Sequence, residues 1–258
     1  MIPFERCETI LKAVGESRYI SIHKLLEITG SSLTTLRRDI NFLAGKGKIE
    51  KIRGGIVSVD KSESENILYL YRNREKLLAA EKSRIGAAAQ NYIDENDIIL
   101  LTYGTTTAQV ARHIDTGKHL TVITNGIDIV SILKDRPNVE VILLGGKIDY
   151  SYNVVKGPSL MKMLEDLHPS KVIMGAGGIT EERGITGYDF LNSTFLKRVI
   201  ERVTSCIIVA DHSKFDRNVL VHIAPLEAVD VVITDSKVPS RYLDIFERFH
   251  IEHCIAHE

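Results

Sequence analysis

Glycine and hydroxyl side chains follow one apolar segment of this sequence in an order that could bind an anion. The apolar run at 98–102 leads to Gly104, Thr105, Thr106 and Thr107, where a helix is predicted to begin. A helix N-terminus presents unpaired backbone N–H groups and the positive end of the helix dipole, and threonine hydroxyls add further donors. The pattern predicts a phosphate or carboxylate site that needs no metal. The alternative is a tight turn with a threonine cap.

Three other predicted strands also end in small or polar residues. Because the carboxyl ends of parallel strands meet at one edge of a sheet, these residues should lie near one another. Glycines there allow the backbone to approach a ligand closely. The residues at these three strand ends are Thr124 and Asn125, Gly145 and Gly146, and Gly177. Each strand end alone fits an ordinary strand-to-helix turn, whereas several at one edge favour a ligand site.

Asp211 and Lys214 follow a fifth predicted strand. The lysine can supply positive charge to a bound phosphate or carboxylate, and the aspartate can orient a sugar hydroxyl or the lysine itself. The alternative is a surface lysine after a strand. With these two residues, the candidate anion site has contributions from five strand ends.

Several kinds of catalytic and cofactor chemistry find no support in the sequence. His212 and Ser213 are neighbours on a loop, so they are not expected to face each other as a nucleophilic dyad. The nine histidines lack metal-site spacing, and the three cysteines lie far apart without a C-x-x-C pair. Neither a P-loop nor a complete G-x-G-x-x-G pattern is present. We therefore expect no metal, no cofactor and no disulfide framework.

The elements that would position these residues alternate along the chain. Short β-branched runs at 98–102, 120–124, 139–144, 171–174, 206–210 and 229–234 are separated by segments of helical length, and a helix is predicted at 76–93. This order predicts an α/β domain with a mainly parallel sheet covered on both faces.

The first 60 residues follow a different pattern. Apolar spacings of three and four predict a helix at 4–14 that Gly15 ends, a second helix capped by Ser21 and ending at Gly30, and a third capped by Ser32. Alternating residues at 48–52 and 56–59 predict a two-stranded ribbon with Gly54 at its turn. The order of these elements is that of a winged helix-turn-helix.

Charge is distributed unevenly between these regions. Residues 1–60 carry a net charge of +3 and residues 61–258 a net charge of −4, and the segment 37–53 holds six basic against two acidic side chains. A basic stripe beside an exposed helix face is suited to contact with DNA phosphates. The alternative is a solvated charge cluster. The candidate DNA-binding residues are Ser32, Thr34, Thr35, Arg37, Arg38, Asn41, Lys48, Lys51, Arg53 and Gly54.

Length and composition are those of a globular protein with two domains. The chain has 258 residues, 44% of them hydrophobic, and no apolar run approaches 18 residues. Its first residues lack the layout of a signal peptide, so a soluble cytoplasmic protein is expected. We predict a DNA-binding domain at 1–60, a linker at 61–75 that includes the polar segment 61–66, and a larger domain at 76–258.

These motifs together resemble those of the DeoR family of bacterial sugar-metabolism regulators. Ser32-x-x-Thr35-Leu36-Arg37-Arg38-Asp39-Ile40 resembles the recognition-helix signature, and Arg53-Gly54-Gly55 the end of the wing. The resemblance continues, in the same order, at Gly104–Thr107, Thr124-Asn125, Leu144-Gly145-Gly146 and 211–215. It implies a winged helix that binds operator DNA and a sensor domain similar to ribose-5-phosphate isomerases. That domain would bind a phosphorylated sugar or related metabolite, which usually releases a repressor. A homodimer or homotetramer is expected, because one small domain covers few base pairs.

Three positions depart from the family pattern. Thr102 stands where an aspartate is frequent, Arg53 stands where the wing usually has histidine, and the stretch before Lys197 lacks a common glutamate. The first departure weakens the rival hypothesis of an aldose–ketose sugar-phosphate isomerase, which needs carboxylates at strand ends for proton transfer. A third hypothesis, a protein-interaction module, leaves the glycines and hydroxyls at the strand ends unexplained.

Overall fold

A computed structural model describes residues 3–17, 19–52, 54–58 and 74–257. The chain divides into two compact units, Met1–Arg72 and Asn73–Glu258. The predicted linker at 61–75 lies almost entirely outside the described residues. Each unit is described separately below.

The first unit contains three helices and a small antiparallel sheet. The helices are α1 (Pro3–Ser17), α2 (Ile22–Thr29) and α3 (Leu33–Gly45), and the strands are β1 (Tyr19–Ser21), β2 (Ile49–Ile52) and β3 (Gly55–Ser58). The strand order is β1-β3-β2, and both pairings are antiparallel. This confirms the helix-turn-helix and ribbon that the sequence predicts.

Local side-chain chemistry fixes the ends of α2 and α3. Ser21 accepts a hydrogen bond from the backbone N–H of Lys24, and Ser32 accepts one from the backbone N–H of Thr35. Gly30 ends α2 in the left-handed conformation, at φ 59°. The capping residues therefore set the short turn between the two helices, as the sequence predicts.

The core of the first unit is formed by apolar residues from every helix and by an ion pair beneath α3. Ile10, Leu25, Leu36 and Ile56 are fully buried there. Arg6 Nε donates to the Asp39 carboxylate at 2.8 Å, which ties α1 to the inner side of α3. The opposite side of α3 is consequently turned to solvent.

Three details of this unit differ from the sequence predictions. Helix α1 continues past Gly15 to Ser17, because glycine within a helix costs only about 1 kcal/mol and does not by itself end it. Strand β1 was not predicted, since three residues are too few for a periodic signal. The spacing of three between Leu33 and Leu36 predicts a buried Leu33, but this residue is 40% exposed because it occupies the first turn, beyond the core.

Removal of the α3 cap is expected to loosen this helix locally. Ser32→Ala should lower the opening free energy of the α3 amides by about 1 kcal/mol, because the N–H of Thr35 loses its acceptor. Native-state hydrogen exchange measures this change, and Thr34→Ala, at an exposed position of the same helix, is the matched control. Equal protection in the two variants would contradict the role of Ser32 as a cap.

The second unit consists of helices on both faces of a parallel sheet, with smaller sheets beside it. Its helices are α4 (Ala79–Ala88), α5 (Thr105–His113), α6 (Ile127–Leu133), α7 (Pro158–Glu165), α8 (Phe190–Ile200) and α9 (Arg241–Arg248). The strands of the main sheet are β4 (Ile98–Leu101), β5 (Leu120–Thr124), β6 (Val139–Leu143), β9 (Lys171–Met174), β12 (Ser205–Val209), β14 (Val231–Asp235) and β15 (Glu252–Ala256). The remaining strands are β7 (Lys147–Asp149), β8 (Val154–Lys156), β10 (Gly178–Thr180), β11 (Gly184–Gly187) and β13 (Val221–Ala224).

The seven strands of the main sheet follow the order β15-β14-β12-β9-β4-β5-β6, and every pairing is parallel. Successive residues of a strand pack on opposite faces of the sheet. Leu100 belongs to the hydrophobic core on one face, and Ile99 and Leu101 belong to the core on the other. Strands buried on both faces require a nearly continuous apolar sequence, which is the signal that the β-branched runs carry. The predicted α/β class with a mainly parallel sheet is confirmed.

The sequence predictions for this unit are wrong at several element boundaries. The helix predicted at 76–93 starts at Ala79, after Leu78 at φ 54°, and ends in a 3₁₀ turn at Ala89–Tyr92. The apolar spacing of the predicted helix also places Leu77 on its packing face, but Leu77 is 61% exposed. Strand β15, the hairpin β7–β8 and the antiparallel sheet β10-β11-β13 were not predicted. In the described residues, no helix combines the length and apolar character needed to span a membrane.

Candidate binding sites

A cavity opens at the carboxyl ends of the central strands β4, β9 and β12. This is where the crossover connections of a parallel sheet leave room for a ligand. Its polar and charged lining residues are Arg74, Lys82, Thr102, Tyr103, Thr105, Thr106, Thr107, Tyr188, Asn192, Ser193, Asp211 and Lys214. Glycines at 104, 175, 177 and 187 complete much of the wall.

The first turn of α5 forms one side of this cavity. Gly104 caps the helix at φ 145°, a backbone conformation that favours glycine, and the Thr107 hydroxyl donates to the Gly104 carbonyl at 3.0 Å. Thr105 and Thr106 are buried against the cavity, at 6% and 7% exposure. The N–H groups of a first helical turn have no acceptor within the helix. They and the threonine side chains can therefore bind an anion.

Positive charge predominates among the side chains that line the cavity. Arg74, Lys82 and Lys214 are cationic, and Asp211 supplies the one carboxylate among the described lining residues. Lys82 is 4% exposed, and its ammonium donates to the carbonyls of Arg74 and Leu77, both at 2.6 Å. Burial lowers the pKa of Lys82 to about 8, an effect that Asp211 partly opposes. The cavity is thus suited to a ligand with negative charge.

Neutral polar groups line another part of the same cavity. The Tyr188 hydroxyl donates to the Gly177 carbonyl at 3.2 Å. Burial raises the pKa of Tyr103, so its phenol keeps its proton near neutral pH. Asp211 is 1% exposed and accepts hydrogen bonds from the backbone and hydroxyl of Ser213. These groups can orient the hydroxyls of a ligand. Within the described ranges, no cluster of three or more His, Cys, Asp or Glu side chains could hold a metal ion.

The first unit has a separate polar surface on α3. Thr34, Arg37, Arg38 and Asn41 are exposed and recur at spacings that place them on one side of the helix. Lys51 of β2 donates to Asn41 Oδ1 at 3.0 Å, which connects this surface to the ribbon. Ser32, Lys48 and Gly54 are exposed, Thr35 is half-buried, and Arg53 lies outside the described residues.

Family models match both units of the chain. A model for the DeoR-like helix-turn-helix domain matches residues 6–62, and a model for the DeoR C-terminal sensor domain matches residues 78–236. The chain belongs to the DeoR family. It is a DNA-binding transcriptional regulator.

Relatives in the DeoR family match over nearly the whole chain. The transcriptional regulator IolR of Bacillus subtilis is 30% identical over 86% of this chain and 87% of its own length. The transcriptional repressor GlcR of the same species is 28% identical over 98% and 96%. AccR of Agrobacterium fabrum, a transcriptional repressor, is 31% identical over 90% and 89%.

A solved structure of ribose 5-phosphate isomerase A from Neisseria gonorrhoeae is also similar, at 15% identity and a TM-score of 0.40. The match covers 55% of this chain and 54% of that one.

The structure brings together seven of the eleven residues predicted for the sensor site. These seven residues follow the strands β4, β9 and β12. They are Gly104, Thr105, Thr106, Thr107, Gly177, Asp211 and Lys214. Gly145 and Gly146 follow β6, which is the edge strand of the sheet, and they do not line the cavity.

Thr124 and Asn125 lie behind the cavity wall rather than in it. Both are fully buried, and the Thr124 hydroxyl accepts from the N–H of Gly126. Asn125 accepts from the N–H of Tyr103 at 3.1 Å and donates to Asn192 Oδ1 at 3.1 Å. In this position Asn125 holds two parts of the wall, the residue before Gly104 and the first turn of α8.

Several lining residues of this DeoR-family sensor were missed by sequence reasoning, among them Arg74, Lys82, Tyr188 and Asn192. Lys82 alone carried a usable signal. It precedes Ile85 by three residues and Ala89 by seven, so it lies on the apolar face of α4. A lysine on the buried side of a helix is a reason to expect a nearby anion or cavity.

Proposed function

We propose that this regulator binds operator DNA through α3 and the ribbon, and that a phosphorylated sugar or a related anionic metabolite in the cavity controls this binding. The observation that carries the proposal is the convergence of the α5 N-terminus with three cationic side chains in one cavity. A helix N-terminus and nearby cations are the usual means of binding a phosphate without a metal.

The relatives support the same assignment. A relative from Escherichia coli, 25% identical over 96% of this chain, is the glycerol-3-phosphate regulon repressor. Its name connects a repressor of this family with a small phosphorylated metabolite. We extend that chemistry to this chain, with repression of a sugar-utilisation operon as the proposed role. The proposed division is DNA binding at 1–60, a linker at 61–75 whose Arg74 lines the cavity, and effector binding at 76–258.

An aldose–ketose isomerase is the weaker alternative. Moving a proton between adjacent carbons requires a base and an acid near the substrate. Among the described lining residues Asp211 is the one carboxylate, and it accepts a hydrogen bond from the Ser213 N–H. At the end of β4, where a carboxylate would serve catalysis, the residue is Thr102. We therefore propose a binding function and no catalysis. Formation of ketose phosphate in a coupled assay with aldose phosphates would contradict this assignment.

A thermal-shift screen tests the effector proposal. A phosphorylated sugar at 100 times its dissociation constant is expected to stabilise the sensor by about 2.7 kcal/mol. The corresponding free sugars serve as controls and should give no shift at the same concentration. A panel of hexose, pentose and triose phosphates without any shift, or equal shifts with the free sugars, would contradict a phosphate-binding cavity.

We also propose that the functional species is a homodimer or homotetramer. Two winged helices related by a two-fold axis read a palindromic operator with more specificity than one. Light scattering at micromolar concentration should give a mass of at least 58 kDa, twice the 28.9 kDa of the chain. A monomeric mass together with a footprint of a single half-site would argue against this assembly.

A further inference from the structure

Asn192 presents a buried side-chain amide to the sensor cavity. It lies in the first turn of α8, is 4% exposed and lines the cavity beside Ser193. Its side-chain oxygen accepts a hydrogen bond from Asn125 at 3.1 Å. Among the described residues, no acceptor lies within hydrogen-bonding distance of its side-chain nitrogen. A buried amide nitrogen is costly to leave without a partner, so an acceptor within the cavity is expected.

A chain of hydrogen bonds fixes which end of the Asn192 amide faces the cavity. The chain begins at the backbone N–H of Tyr103, which can only donate, and the Asn125 oxygen accepts from it at 3.1 Å. The Asn125 nitrogen is therefore the group that reaches Asn192, and it requires the Asn192 oxygen as its acceptor. The two N–H donors of the Asn192 side chain are left for the cavity. The amide cannot turn over without losing its bond to Asn125.

The backbone of Asn192 is fixed as well as its side chain. Asp189 caps α8 and accepts from the N–H of Asn192 at 2.8 Å. The same aspartate pairs with Lys156 at 3.0 Å, and Lys156 also pairs with Asp149 at 2.7 Å. The amide donor therefore has a defined place in the wall before a ligand binds. A preorganised donor of this kind favours selectivity between ligands.

Two strong acceptors of the cavity wall are already engaged. The Asp211 carboxylate accepts from the N–H and the hydroxyl of Ser213, and the Gly177 carbonyl accepts from Tyr188. A ligand hydroxyl that accepts from Asn192 needs a further acceptor for its own proton. A carbonyl oxygen has no proton to place and can accept from both N–H donors of the amide. The hydrogen-bond balance therefore favours a ligand with a carbonyl oxygen at this point.

We infer that Asn192 selects among sugar phosphates by donating to a carbonyl oxygen of the effector. This inference rests on the proposed function of the cavity and concerns the part of the ligand away from its phosphate. An open-chain ketose phosphate satisfies the Asn192 amide, whereas the corresponding polyol phosphate brings a hydroxyl proton that needs its own acceptor. Asn125 is a positioning residue, since it orients the Asn192 amide without lining the cavity.

The test compares pairs of ligands that share a carbon skeleton and a phosphate but differ in one carbonyl group. The pairs are dihydroxyacetone phosphate with glycerol 3-phosphate, erythrulose 4-phosphate with erythritol 4-phosphate, and ribulose 5-phosphate with ribitol 5-phosphate. Calorimetry of the full chain gives the ratio of the two dissociation constants within each pair. In the pair whose length fits the cavity, wild type is expected to bind the ketone about tenfold more tightly than the polyol. Inorganic phosphate, measured alongside, reports on phosphate binding alone.

Asn192→Asp reverses the hydrogen-bonding character of this position. The carboxylate still accepts from Asn125, but its second oxygen accepts where the amide donated. The preference for the ketone should fall from about tenfold to none. The added charge acts on the phosphate of both ligands alike, so it leaves the ratio unaffected. Thr194→Asp adds the same charge at an exposed position of the same helix, outside this cavity, and should keep the wild-type ratio.

Asn125→Asp tests the chain of hydrogen bonds without changing a residue that lines the cavity. The new carboxylate accepts from both the Tyr103 N–H and Asn192, so the Asn192 amide turns over and presents its oxygen to the ligand. The preference for the ketone should again be lost, although Asn192 itself is unchanged. A purely structural role of Asn125 would weaken binding of both ligands and keep their ratio at the wild-type value.

The outcomes separate this inference from the proposed function. Equal binding of ketone and polyol by wild type would overturn the role of Asn192 and leave the proposed function intact, whether or not the variants fold. Binding of inorganic phosphate but of none of the three ketones would do the same, and so would a wild-type ratio retained in Asn192→Asp. Failure of wild type to bind phosphate or any of the six sugar and polyol phosphates would overturn both proposals together.

Discussion

Replacing Arg37 or Arg38 by alanine is expected to weaken operator binding by about 1 to 3 kcal/mol each. Both arginines are exposed on the side of α3 opposite the buried Asp39. In winged helix-turn-helix proteins this helix enters the major groove, where arginine can bind a guanine edge with two hydrogen bonds. The double variant should lose sequence-specific binding at physiological salt.

The measurement is a titration of operator DNA, obtained by binding-site selection, at several salt concentrations. An arginine that contacts a base should reduce the preference for operator over random DNA, whereas one that contacts phosphate should lower affinity for both and reduce the salt dependence. Lys12→Ala, on the exposed side of α1, is the charge-matched control. Affinity and salt dependence that stay at wild-type values in both arginine variants would show that α3 is not the recognition helix.

The second large effect is expected in the sensor cavity. Thr106→Val combined with Lys214→Met should weaken effector binding about 100- to 1000-fold, because a hydroxyl donor and a cation that line the cavity are both lost. Each replacement keeps the approximate volume of the original side chain, so the fold should persist. DNA affinity in the absence of effector should stay within about twofold of wild type, since the candidate DNA-binding residues belong to the other unit.

The same double variant tests the thermodynamic link between the two sites. If effector lowers DNA affinity by some factor in wild type, DNA must lower effector affinity by the same factor. Calorimetry with and without operator DNA measures the second factor, and DNA titration with and without effector measures the first. The variant should no longer respond to the effector concentration that releases wild type. A full response in the variant would place the effector in a different cavity.

Local sequence signals determined the framework of both units. The caps at Ser21 and Ser32, and the left-handed Gly30, act over three or four residues, so the helix boundaries they set could be predicted without tertiary information. The β-branched runs of the central strands indicated a parallel sheet for a similar reason, because burial on both faces demands apolar side chains at every position. Gly104 and the threonines after it indicated, in the same way, the turn at the start of α5 that lines the cavity.

Tertiary structure alone decided which of the polar residues reach the cavity. The sequence places Asn125 directly after a strand, where it was a candidate for the site, and Lys82 on the apolar face of a helix, where it was not. In the fold, the Asn125 side chain accepts a hydrogen bond from the Tyr103 N–H and donates one to Asn192, which is 67 positions away. Asn125 therefore supports the wall of the cavity. Lys82 instead enters the cavity, because α4 turns its apolar face toward the sheet and Lys82 lies on that face. Contacts between such distant positions have no periodic signature in the sequence, so only the packing of helices on the sheet fixes them.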